Sequence, residues 1–134
     1  MNDIEFRLAT LDDLPVLVEL RLLFLAEFMR REPDEQTEVL RRNLTEYFRQ
    51  ALPDGSYVSV LAKFNGEPVA CGGMVVWRVP PGYRMMQGRK GYILCMYTRP
   101  SFRKRGIGKR IIELLLSEAE RLDLNEVHLH AASD

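Results

Sequence analysis

Apolar and polar positions alternate in some segments of this 134-residue chain and recur every three or four residues in others. Alternation is typical of strands, and the longer period is typical of helices. The pattern therefore predicts a strand, two helices, two strands, a polar loop, a fourth strand, a helix and a fifth strand. Their approximate ranges are 4–8, 14–29, 35–52, 57–64, 68–79, 92–98, 107–122 and 126–130. No repeat or linker interrupts this order, so the chain is predicted to be one α/β domain, residues 1–134.

Turn residues separate these elements. Thr10, with Asp13 three residues later, has the pattern of a helix N-cap. The proline and glycine of 53–55 end the second helix. Asn65-Gly66 is a strong hairpin signal between two strands. Gly72-Gly73, inside the next strand, predicts a bulge or a close approach of the backbone to a neighbour.

Composition and charge exclude several classes of partner. Hydrophobic residues make up 46% of the chain and charged residues 28%, as is usual for globular proteins. Basic and acidic residues both number 19, so no overall field attracts nucleic acid or a membrane surface. The first residues lack the pattern of a secretory signal, which favours a cytoplasmic location. Cys71 and Cys95 fall in predicted strands and are expected to be buried, reduced thiols.

Basic residues are concentrated in one loop between the fourth strand and the helix that follows. Residues 99–110 contain six basic residues and no acidic one. Gly106 and Gly108 would let a bulky anion approach the backbone, and the helix start supplies unpaired N–H groups and a favourable dipole. Three interpretations remain open from the residues alone: a phosphate site, a solvated basic loop, or a patch for nucleic acid or localisation, which explains the charge but not the glycines. The loop matches neither the P-loop nor the dinucleotide-binding pattern.

The segment 96–108 closely resembles the acetyl-CoA motif of the GNAT superfamily of N-acetyltransferases. That motif reads (Gln/Arg)-x-x-Gly-x-(Gly/Ala), after a lead-in of the form x-Pro-x-(Tyr/Phe)-Arg. Arg103, Gly106 and Gly108 occupy its fixed positions, and Pro100 and Phe102 fit the lead-in. The order of elements also resembles the family, so the resemblance covers almost the whole chain.

The resemblance implies a fold, a co-substrate and an activity. The fold would be mixed α+β, with a mostly antiparallel central sheet, parallel fourth and fifth strands that splay apart, and flanking helices. Acetyl-CoA would be the co-substrate, and a primary amine would attack its thioester directly in a ternary complex, with no metal and no covalent intermediate.

The resemblance also implies residues for the cofactor. Backbone N–H groups from Arg103 through Lys109 would hold the pyrophosphate. The backbone of Met96 and Thr98 would pair with the pantetheine arm, and an N–H near Met96 would polarise the thioester carbonyl. The predicted cofactor residues are Met96, Tyr97, Thr98, Arg103, Lys104, Arg105, Gly106, Ile107, Gly108 and Lys109.

Two departures from the family leave the catalytic residues unassigned. Many members carry a carboxylate on the fourth strand to help deprotonate the amine, and 92–98 contains none. The family also usually continues with another helix and strands. We therefore expect a domain that is incomplete after Asp134, or one whose sheet a second copy completes as a homodimer. A regulatory module that binds CoA without normal turnover, and a basic-loop interaction protein without a cofactor, remain alternatives.

The acceptor side rests on the turn between the first two helices. Glu27, Phe28 and Glu32 are the candidate residues there for a small-molecule or peptide amine, because an acidic lip suits a cation. A solvated helix surface is the alternative, since arginines lie among them. His128 and His130 have the spacing of a metal pair, but no third ligand joins them in sequence, and ordinary strand residues are favoured.

Overall fold

A computed structural model describes residues 3–129, and every element expected in that range is present. The elements, in chain order, are β1 (Ile4–Leu8), α1 (Leu14–Met29), α2 (Glu35–Asp54), β2 (Tyr57–Phe64), β3 (Glu67–Arg78), β4 (Arg89–Thr98), α3 (Ile107–Arg121) and β5 (Val127–Leu129). Single turns of 3₁₀ helix at Leu11–Asp13 and Pro100–Phe102 precede α1 and α3. None of the helices within 3–129 combines the length and apolar character that a membrane crossing requires.

The five strands form one mixed sheet in the order β1-β2-β3-β4-β5. The first four are antiparallel neighbours, and β5 joins β4 in parallel. The described part of β5 pairs only with Gly91–Ile93, so β4 from Leu94 to Thr98 pairs with β3 alone within 3–129. The predicted fold class, a mostly antiparallel sheet with a parallel pair that separates, is confirmed.

Helices cover both faces of the sheet. On one face α3 packs Ile111 and Leu115 against Met74 and Ile93, and all four side chains are fully buried. On the other face α1 and α2 form a second core with strand residues. The apolar face of α1 is wide because the helix contacts both α2 and the sheet.

Several boundaries differ from the prediction, those of β3 and α3 by a single residue. Helix α2 continues to Asp54 with Pro53 in its last turn, and it ends at Gly55 with φ of 82°. Strand β4 begins at Arg89 because its first two residues still pair with β3. The described part of β5 ends at Leu129, and His130 lies outside the described residues.

The two glycines of β3 are sites of close approach, but the extra residue of the bulge lies on β4. Between Cys71 and Gly73 the partner strand advances from Tyr97 to Leu94, one residue more. Cys95 is in that stretch and has a left-handed φ of 60°. A Cβ on Gly73 would lie 1.9 Å from the Tyr57 hydroxyl oxygen. Gly72-Gly73 is therefore required by close packing, as predicted. The predicted bulge is also present, but its extra residue lies on the facing strand β4.

The start of α1 is held by a buried carboxylate. Asp13, 6% exposed, accepts hydrogen bonds from both terminal nitrogens of Arg7 at 2.8 Å and from the Thr10 N–H at 2.8 Å. The hydrogen bonds from Arg7 lower the pKa of Asp13 from its ordinary value, against the opposing effect of burial. This cluster ties β1 to the first turn before α1.

We expect Asp13→Asn to lower the free energy of unfolding by about 2 kcal/mol at neutral pH, because the amide loses the ion pair and part of the cap. A carboxyl whose pKa is lower in the folded state stabilises the fold above the unfolded pKa of about 4, and this contribution is lost as the pH falls through the lowered value. The difference between wild type and variant in urea denaturation should therefore shrink in acid. The exposed neighbour Asp12→Asn is the control, and an equal loss there would contradict this assignment.

Candidate functional site

An open strand edge and a helix start meet at the C-terminal end of β4. The edge is Leu94–Thr98, which has no β5 partner among residues 3–129 and contains the bulge at Cys95. The 3₁₀ turn after Thr98 leads into the basic loop and then directly into α3. An edge of this kind presents backbone N–H and C=O groups to an extended ligand, in the manner of an added strand.

The loop before α3 is folded by left-handed residues. Lys104 has φ of 64° and Gly106, the N-cap of α3, has φ of 80°. The Arg110 N–H donates to the Gly106 carbonyl at 3.1 Å, so the N–H groups of the first three helical residues have no acceptor inside the helix. The Arg103 N–H donates to Pro100 at 3.3 Å. The N–H groups that the loop can offer to an anion are therefore those that follow Arg103.

Charge at this helix start is the reverse of what stabilises an isolated helix. The positive end of a helix dipole favours acidic residues, yet the first turn of α3 has none and begins Ile-Gly-Lys-Arg. Among residues 3–129, no carboxylate lies within 4.0 Å of a side-chain nitrogen of Lys104, Arg105 or Lys109. An anion at the loop would relieve this repulsion, so both the charges and the N–H groups of the segment suit an anion.

Most of the predicted residues line one groove of about 390 Å³. Its walls are Phe24, Glu27, Phe28, Met96, Tyr97, Thr98, Arg103 and Gly108. A Cβ added to Gly108 would have no atom within 4 Å, so the floor beside the helix start is open. The groove thus joins the β4 edge to the start of α3.

One ion pair joins two residues in the wall of this groove. The Arg103 terminal nitrogens contact the Glu27 carboxylate at 2.7 and 2.8 Å, and its Nε donates to the Thr98 carbonyl at 2.8 Å. The Tyr97 hydroxyl donates to Glu27 at 3.3 Å, and the Arg103 guanidinium lies over the Tyr97 ring, 5.6 Å from its centroid. The hydrogen bonds from Arg103 lower the pKa of Glu27, whereas burial, assisted by Glu27, raises the pKa of Tyr97.

The remaining predicted residues lie around the groove or away from it. Arg105 and Gly106 line a second depression on the β1 side of the loop, of about 340 Å³. Ile107 is buried in the core beneath α3, so only its backbone is available. Glu32 lines a separate apolar groove of about 320 Å³ between α1 and α2. The structure therefore brings Glu27 and Phe28 to the strand edge but not Glu32.

Sequence reasoning missed two features of the site. Phe24 lines the groove and stacks on Phe28 with ring centroids 5.4 Å apart, a contact that the i, i+4 spacing of two aromatic residues could have indicated. Cys71 and Cys95 are free thiols, as expected, but Cys95 is only half-buried because the bulge turns its backbone. Burial raises the pKa of the Cys71 thiol to about 12, so Cys71 is an inert core residue.

Comparisons with known proteins agree with this geometry. The model of the acetyltransferase (GNAT) family matches residues 17–134. A predicted acetyltransferase from Clostridium acetobutylicum, solved with acetyl-CoA, is 30% identical with a TM-score of 0.85, over 96% of this chain and 80% of that one. A GCN5-related N-acetyltransferase from Ralstonia eutropha JMP134 is 27% identical with a TM-score of 0.83, over 97% of this chain and 84% of that one.

More distant structures share the fold alone. An aminoglycoside acetyltransferase from an uncultured soil metagenomic sample, in complex with sisomicin, is 20% identical with a TM-score of 0.72, over 96% of this chain and 78% of that one. No curated protein matches the chain. The family match spans most of the chain and includes the basic loop, the β4 edge and α3. The chain therefore belongs to the acetyltransferase (GNAT) family.

Proposed function

We propose that this protein transfers the acetyl group of acetyl-CoA to a primary amine by direct attack in a ternary complex. One observation carries the donor half of the proposal: a helix start crowded with cations and unpaired N–H groups lies beside a strand edge that has no β5 partner within residues 3–129. A pyrophosphate joined to an extended pantetheine arm has the charge and shape that such a site would accept. The similar structure from Clostridium acetobutylicum, which was solved with acetyl-CoA, supports this assignment.

The donor residues are assigned by role. Backbone N–H groups between Lys104 and Lys109 would hold the pyrophosphate, with Gly106 and Gly108 keeping the approach clear. Met96 and Thr98 would pair with the pantetheine arm along the part of β4 that lacks a β5 partner in the described chain. This extends the sequence prediction, except that the Arg103 N–H is already used within the loop.

We place the reacting thioester beside the bulge in β4 at Cys95 and Met96. Neither Cys95 nor Met96 has a partner residue on β3, because the register passes from Tyr97 to Leu94. An N–H released from the ladder in this way, near Met96, could donate to the thioester carbonyl and stabilise the oxyanion that forms when the amine attacks. The attacking amine must be neutral, and β4 offers no carboxylate to accept its proton.

The acceptor is assigned only as an amine of a small molecule or a peptide. Glu32, beside the groove between α1 and α2, and Phe28, in the groove at the β4 edge, are the acceptor residues that we propose. Because no general base is assigned, a second candidate function has to be distinguished by experiment. In that function the protein is a module that binds CoA without turnover.

A transfer assay tests the proposal. The protein would be incubated with acetyl-CoA and a panel of amines that includes polyamines, an aminoglycoside and a peptide with a free N-terminal alanine. Release of the CoA thiol and the mass of the acetylated amine would be recorded. We expect an acetylated product with at least one amine. Acetyl-CoA binding without any product would favour the regulatory module, and the absence of binding would contradict both functions.

A further inference from the structure

Glu27 lies at a position in α1 where a negative charge destabilises the helix. It lies in the last turn of α1, which contains no basic residue, and the C-terminal end of a helix dipole is negative. The side chain is about half exposed and could point to solvent, but it contacts Arg103 across 76 residues of sequence. We therefore expect Glu27 to act through its contact with Arg103 and not by stabilising α1.

Arg103 is directed at the protein and not at the open side of the loop. One fork of its guanidinium binds both oxygens of Glu27, its Nε binds the Thr98 carbonyl, and its flat face covers the Tyr97 ring. These three contacts join α1, the end of β4 and the loop. A planar five-donor guanidinium can make them at once, which a lysine ammonium cannot do in the same geometry.

The loop that follows Arg103 has a strained backbone that such contacts would stabilise. Lys104, the next residue, has a left-handed φ of 64°, which is unfavourable for a residue with a Cβ, and Gly106 has φ of 80°. A backbone held in these conformations presents successive N–H groups to one side. The side chain of Arg103 fixes the residue immediately before this stretch, so its anchor on Glu27 preserves the shape of the anion site.

We propose that Glu27 is a positioning residue of the donor site, which acts through Arg103 to keep the loop of residues 103–109 in the form that binds acetyl-CoA. The proposal rests on the proposed function and changes the role of Glu27 from acceptor binding to donor binding. It predicts that Glu27 affects the affinity for acetyl-CoA and leaves the affinity for the amine unchanged.

A double-mutant cycle tests it. Glu27→Gln keeps the shape of the side chain and removes its charge, and Arg103→Gln introduces the other residue that the motif allows. We expect each variant to raise the Kd of acetyl-CoA, measured by calorimetry, about threefold, as for other partly exposed ion pairs. The Kd of the double variant should be no higher than that of the single variant with the higher Kd, because the two substitutions remove the same interaction. Arg103→Lys, which keeps the charge but loses the fork, should resemble Arg103→Gln.

Turnover and a matched variant complete the test. With an amine accepted by the wild type, Glu27→Gln should raise the KM for acetyl-CoA and leave the KM for the amine unchanged. Glu19→Gln is the control, because Glu19 is on the same helix and makes a similar two-pronged pair with Arg41, at 2.8 and 3.1 Å, away from the loop. It should leave the Kd of acetyl-CoA unaltered.

Four results would overturn the proposal: an unchanged Kd, tighter binding by Glu27→Gln, independent effects that multiply in the double variant, or a change confined to the KM for the amine. Failure of the wild type itself to bind acetyl-CoA would be a different outcome. It would remove the proposed function and this inference with it.

Discussion

Replacing Gly108 with valine should strongly weaken the binding of acetyl-CoA and leave the fold intact. A Cβ at this position meets no protein atom within 4 Å, so the added methyl groups would project into the groove that the pyrophosphate is proposed to occupy. Loss of two charge-assisted hydrogen bonds to phosphate would weaken binding by about 100-fold or more. Calorimetric titration with acetyl-CoA measures the change.

Stability separates this effect from misfolding. Valine has a better helix propensity than glycine, so the thermal midpoint of Gly108→Val should be equal to or above that of the wild type. Ser117→Val places the same side chain on an exposed position of α3 and should bind acetyl-CoA normally. If Gly108→Val folds and retains its affinity, the loop is not the pyrophosphate site.

Gly73→Ala should produce the largest loss of stability among these variants. The new Cβ would lie 1.9 Å from the Tyr57 hydroxyl oxygen and 2.2 Å from the ring carbon that bears it. Tyr57 is buried and cannot turn away, because its ring packs on Phe48 and Tyr47 of α2 with centroids 5.1 and 5.8 Å apart. We expect the free energy of unfolding, measured in urea, to fall by about 3 kcal/mol or more.

A second glycine gives the comparison. Gly82 lies in the loop before β4, and a Cβ added there would have no atom within 4 Å, so Gly82→Ala should change stability little. Equal effects at the two positions would show that lost backbone freedom, and not contact with Tyr57, explains the result at Gly73. The clash also explains why the glycine signal in β3 was informative from sequence: a flat ring lies directly on that part of the sheet.

Hydrophobic periodicity predicted the elements well because each helix or strand here buries one regular face. Helix α3 shows this clearly, with Ile111, Leu115 and Ala119 buried at intervals of four. The motif at Arg103–Gly108 indicated the family and the proposed donor loop because its glycines and cations are local in sequence. The family match confirms the resemblance on which that prediction depended.

Interactions between distant segments could not be predicted in the same way. The pair between Glu27 and Arg103, and the bulge at Cys95, depend on how α1, β3 and β4 come together in space. No local pattern distinguishes Glu27 from Glu32, although only Glu27 reaches the β4 edge. The sequence showed several carboxylates near this turn. Their positions in the folded chain place Glu27 in the groove at the β4 edge and Glu32 in the groove between α1 and α2.

The most direct test of the account is a calorimetric comparison of acetyl-CoA with S-acetylpantetheine, which keeps the thioester arm but lacks the pyrophosphate and the adenosine 3′-phosphate attached to it. We predict that the wild type binds acetyl-CoA about 100-fold more tightly, in line with the loss of two charge-assisted hydrogen bonds. In Gly108→Val the two ligands should bind with similar, weak affinity. Equal affinity of the wild type for both ligands, or no binding of acetyl-CoA, would contradict the assignment of the basic loop.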